Sequence, residues 1–176
     1  MNNLFDNLEK VRANIKAACA RVGRKENSVK LLIVTKKRTL ESVLQLADYC
    51  HKRSYPILLG ENYVQEYRTK SEQFKFPHEP HLIGPLQRNK AKEAVKLFSV
   101  IESMHSVEVA QAIHRAAAKE NKIQQVYLQV NVSQDEAKSG FALEEVEQFL
   151  VNTAPALSNL KVTGLMTITK LYESAE

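Results

Sequence analysis

Short apolar runs alternating with amphipathic stretches predict an α/β protein with parallel strands. Three observations carry that expectation. Six runs rich in Val, Ile and Leu recur, beginning at about residues 30, 57, 81, 99, 125 and 160. Between successive runs lies a segment with the 3.6-residue apolar spacing of a helix. The first run, LLIV at 31–34, is apolar on consecutive positions, the pattern of a strand covered on both faces. Strict alternation requires helical crossovers and therefore parallel strands.

In chain order, Leu4, Leu8, Val11, Ile15, Ala18 and Val22 line one face of a helix over 3–22, and Gly23 is a natural stop. This helix precedes every strand, so it is an extra element and not a crossover. A strand is expected over 29–35 and a helix over 39–51. A short strand at 56–59 ends in Gly60, and helix follows over 61–74. Strands at 81–84 and 99–102 are each followed by helices, at 88–97 and 107–120. VYLQVNV marks a strong strand over 125–132, then helix over 143–152 and a last strand over 160–168. Two architectures fit the alternation, an open doubly wound sheet and a (β/α)8 barrel. A complete barrel has eight strand–helix units, and this chain supplies about six.

With 176 residues, 44% hydrophobic and 26% charged, the chain suits a single domain over 1–176. No apolar stretch approaches the roughly 18 residues that span a bilayer. The start MNNLFDNLEK has no basic segment leading into an apolar one, so a cytoplasmic protein is expected. Cys19 and Cys50 are the only cysteines and form no metal-ligand spacing. The net charge of +5 is spread over short basic clusters with acidic residues between them, which argues for a solvated surface and against nucleic-acid binding.

In both architectures chemistry is placed at the C-terminal ends of the strands. That rule selects Lys36 and Lys37, Gly60-Glu61-Asn62, Gly84 to Gln87, His105-Ser106, Asn131 to Ser133, and Met166-Thr167. The set holds no GxGxxG or GxxxxGK[ST] loop, no carboxylate cluster for a metal and no GxSxG elbow. It does hold lysines. A lysine desolvated at the end of a buried strand is a nucleophile toward aldehydes and forms a Schiff base, and pyridoxal 5′-phosphate (PLP) is the biological aldehyde most often held so. Side chains alternate along a strand, so Leu32, Val34 and Lys36 share one face, and Ile33, Thr35 and Lys37 the other. One lysine faces inward; alternation alone does not say which.

The segments VTK (34–36), LGENYVQE (59–66), HLIGPLQRNK (81–90), VNVSQDEAKSGF (130–141) and LKVTGLMTI (160–168) occur in this order. Together they resemble the pyridoxal phosphate homeostasis protein family, whose barrel is like the alanine racemase N-terminal domain. The resemblance spans essentially the whole chain. It implies a (β/α)8 TIM-type barrel, here incomplete, with PLP held as a Schiff base on Lys36. It also implies a role in intracellular PLP homeostasis, with delivery to PLP-dependent enzymes and no turnover of its own. Asn62 and Met166 match positions near the cofactor. Plainer roles stand beside these: Asn62 as a helix-start cap, Met166 as interior filler, Asn131 as a partner for strand-end backbone, Lys138 as a solvated lysine, and His81 and Gln87 as structural residues.

Members of that family continue through two more strand–helix units, which supply the phosphate cup and an arginine facing the pyridine nitrogen. The resemblance therefore implies weaker PLP binding here, together with exposed sheet edges that favour self-association or a missing C-terminal fragment. Two other readings are a PLP-dependent amino-acid racemase and a basic RNA-binding protein.

Overall fold

The computed structural model describes residues 3–133, 135 and 138–169. The first helix, α1 (Asn3–Arg21), ends where Gly23 takes φ 64° and the Arg24 N–H donates to the Cys19 carbonyl. Six parallel strands follow: β1 (Leu32–Val34), β2 (Leu58–Glu61), β3 (Glu79–Leu82), β4 (Val100–Met104), β5 (Gln124–Gln129) and β6 (Leu160–Met166). The crossovers are α2 (Leu40–His51), α3 (Val64–Ser71), α4 (Ala91–Leu97), α5 (Val107–Lys119) and α6 (Leu143–Gln148); α6 runs on through a π-helical turn at Phe149–Thr153.

The strands pair in chain order, β1-β2-β3-β4-β5-β6. A doubly wound sheet reverses its order at a switch point, whereas a barrel does not. The sequential order therefore decides for the barrel type, and β1 and β6 are its two edges among the described residues.

Some boundaries differ from expectation. β1 is confined to 32–34, and β2 lies two residues later than the sequence suggests. Glu61 is the last residue of β2 and not the first of a helix, and α3 starts only at Val64. The Glu61 side chain is buried despite its charge.

The main core lies between the sheet and α3, α4 and α5. Leu82, Ile101, Val126 and Leu128 reach out from the central strands to meet Ala94, Val95, Phe98, Ala110 and Ile113. A smaller cluster joins Ile33 and Leu59 to Val43, Leu46, Ala47 and Cys50 of α2. Thr39 starts α2 by accepting from the Ser42 N–H, and Ser106 starts α5 by accepting from the Val109 N–H. No described helix is long and apolar enough to cross a membrane.

Candidate functional site

Strand parity sets the site. Ile33 and Leu59 pack toward α2, so Leu32 and Gly60 turn to the other, concave face. A methyl placed on Gly60 would lie 3.2 Å from Leu32 and 3.1 Å from Ile83, which puts the three side by side on that face. Val34, two residues beyond Leu32, is 47% exposed.

The backbone then turns sharply. The Arg38 N–H donates to the Thr35 carbonyl at 3.1 Å, closing a four-residue turn with Lys36 and Lys37 at its centre. Lys37 alone of the four has positive φ, 57°, the pattern of a type II turn. A non-glycine residue there costs roughly 1–3 kcal/mol, so the surroundings must impose it.

They do so through a charged network on the helix-facing side. Thr35 Oγ1 donates to Glu61 Oε1 at 2.8 Å. The buried Lys70 ammonium of α3 donates to Glu61 Oε1 at 2.6 Å, to Glu66 Oε1 at 2.9 Å and to the Thr35 carbonyl at 3.0 Å. Glu66 Oε1 also accepts from the Lys37 N–H at 2.7 Å. Burial pushes the Glu66 carboxyl up. The hydrogen bonds from Lys70 and the Lys37 backbone, with both lysine charges, outweigh that and hold it below the usual carboxylate range.

Lys36 itself is exposed at the strand mouth, and among the described residues its ammonium has no ion-pair partner. The desolvation expected of a strand-end lysine is therefore absent; the edge strand leaves the amine in water. Asn62 follows β2, which pairs in register with β1 at Val34 and Gly60, so Lys36 and Asn62 follow neighbouring strand ends. Asn62 does not cap α3: the cap position is Tyr63, without a side-chain bond. Its backbone is instead pressed against β3's end, where a methyl on Gly84 would come within 2.4 Å of the Asn62 carbonyl oxygen. Met166 ends β6, at the opposite edge of the sheet from Lys36. It lies two residues beyond Gly164, which sits against the Tyr127 ring.

Other candidates have structural partners. Asn131 donates to the Asp135 carbonyl and accepts from the Ser133 hydroxyl, ordering the turn after β5. Lys138 is not simply solvated: its ammonium bridges the Ile168 and Thr169 carbonyls beyond β6. His81 is buried, with Nδ1 2.5 Å from Glu102 Oε1. Gln87 is exposed and precedes a short 3-10 turn.

A cleft of about 200 Å³ opens among the ends of β3, β5 and β6, lined by Ile83, Pro85, Gln129, Asn131, Lys138 and Ile168. A larger one, about 750 Å³, lies at the opposite end, under α1 and beside Leu31, Leu58 and Glu79 at the strand starts. The strand-start end of such a sheet serves stability, so the site is assigned to the mouth despite its smaller cleft.

The sequential parallel sheet fits a barrel of this type, and residues 7–176 match the family described as alanine racemase, N-terminal domain, to which the chain belongs. Among its relatives is the pyridoxal phosphate homeostasis protein of Aquifex aeolicus, 37% identical over 99% of this chain and 74% of that protein. PipY of Synechococcus elongatus, solved with PLP bound, is 27% identical and superposes with a TM-score of 0.73 over 90% of this chain and 71% of its own. An alanine racemase from Clostridium difficile shares the fold, with a TM-score of 0.67 at 18% identity, over 92% of this chain and 40% of its own.

Proposed function

We propose that this chain is a PLP-binding protein of cytoplasmic PLP homeostasis, holding the cofactor as a Schiff base on Lys36 and passing it to PLP-dependent enzymes. The observation that carries the reading is Lys36, an exposed amine at the mouth of β1 without an ion-pair partner among the described residues, in a chain related to PLP homeostasis proteins. The cofactor supplies an aldehyde. Lys36 would supply the amine that holds it as an imine, its ammonium giving up a proton and one water leaving.

Parity supports Lys36 over Lys37. Thr35, the last residue paired to β2, turns its hydroxyl to Glu61 on the helix-facing side, which supports the concave side for its neighbour Lys36, while the Lys37 N–H is engaged by Glu66. Asn62 lies beside Lys36 in strand order and is the nearer of the two further contacts; Met166 reaches the cofactor only if the sheet curves its two edges together. The edges are expected to be covered by a second copy or by further strands. The racemase likeness is a likeness of fold and supports no turnover here.

Titration with PLP tests the reading. A visible absorption band that saturates in the parent chain, is lost in Lys36→Ala and survives in Lys37→Ala is the expected result. A band that survives Lys36→Ala refutes it.

A further inference from the structure

We infer that Glu66 and Lys70, acting with Glu61, are positioning residues for Schiff-base formation, although none of them is placed on the concave face. The inference rests on the Lys36 reading and deepens it.

Lys36 lies between two backbone points that the network grips. On one side Thr35 is held twice: its hydroxyl by Glu61 and its carbonyl by Lys70. On the other, the Lys37 N–H is held by Glu66 at 2.7 Å. Lys70 ties the two anchors together, because one ammonium contacts both carboxylates. Each contact lies on the helix side of the sheet. The network is thus built around the turn without touching what Lys36 would bind.

The cost of the arrangement supports a specific role. Glu61 and Lys70 are both buried, and Glu61 Oε2 is buried without a hydrogen-bond partner among the described residues. Apolar residues of similar size usually stabilise such a location as well or better. What apolar residues lack is direction. They have no acceptor for the Lys37 N–H and no donor for the Thr35 carbonyl, so they leave the positive φ at Lys37 unsupported. Fixing the turn presents one amine from a fixed backbone point, which raises its effective concentration toward a bound aldehyde.

The test compares the parent chain with Glu66→Ala, Lys70→Met and Lys70→Arg. Circular dichroism first confirms folding, and Glu66→Ala, at a part-exposed position, keeps the test available if Lys70→Met does not fold. Two quantities are then read: the rate at which the visible band appears with PLP, and hydrogen exchange of the Lys37 amide. Glu66→Ala is expected to slow band formation at least tenfold and to release the Lys37 amide, with the same spectrum at saturation. Lys70→Arg is expected to recover part of the rate. Parent-like rates in Glu66→Ala would overturn the inference while leaving Lys36 as the attachment site. Absence of a Lys36-dependent band in the parent chain would instead overturn the reading beneath it.

Discussion

The central strands and the first strand are held by different physics. In β3, β4 and β5, Leu82, Ile101, Val126 and Leu128 are all 0% exposed and packed against helices. At the edges, Val34 of β1 is 47% exposed and Leu165 of β6 is 62% exposed. Apolar packing is strong but non-directional, and it suffices where a strand only has to stay buried. At the end of β1, where a turn must adopt one conformation, a buried lysine between two carboxylates does the holding. Stability and the placement of the amine proposed to react are therefore located in separate parts of the sheet.

That separation can be broken from the core side first. Phe98→Ala, which empties a 1%-exposed position beside the Tyr67 ring, should cost about 3–5 kcal/mol, read as a urea-unfolding midpoint. A smaller loss would mean that the centre is less tightly packed than its burial indicates. Gly84→Ala comes next. Its new methyl meets the Asn62 backbone at the strand mouth, and a destabilisation of about 1–3 kcal/mol is expected.

The charged region should respond to pH. The Glu66 carboxyl lies below its ordinary value in the folded chain. Its contribution is therefore present above the unfolded value, roughly 4.3, and lost as pH falls through the folded one. At pH 7 Glu66→Gln should be less stable than the parent by about 0.5 kcal/mol, allowing for solvent screening. Urea midpoints measured from pH 7 to pH 3 should show that gap closing. Smallest of all is Val34→Ser, expected to change stability by about 0.5 kcal/mol or less because the side chain is already half in water.

Periodicity made the order of elements legible. Six strands and their crossovers follow from where Val, Ile and Leu recur, and sequential pairing is the barrel-type outcome of that order. The charged network was not legible, for a specific reason. Glu66 and Lys70 are four apart on a helix and read as an ordinary surface pair, while Glu61 reads as the polar start of that helix. Only the packing of α3 over the ends of β1 and β2 turns those three charges inward. The LGENYVQE segment carries two of the carboxylates, and Lys70 lies nine residues after Glu61 with its aromatic neighbour Tyr67 buried. A lysine in register with buried Val64 and Tyr67 was the available signal. Alternation and strand-end placement, both sequence properties, narrowed the candidates to one of Lys36 and Lys37, and the choice of Lys36 came from resemblance. Met166 was among the strand-end residues, but its place beside a cofactor rests on resemblance alone, since which strands approach across a curved sheet is not written in local spacing.

The most direct measurement is reductive trapping. The chain is incubated with PLP, reduced with borohydride, digested, and the modified peptide sequenced by fragmentation. The pyridoxyl group on Lys36, with Lys37 unmodified, is the result this account predicts. The group on Lys37, or spread over many surface lysines, would contradict it.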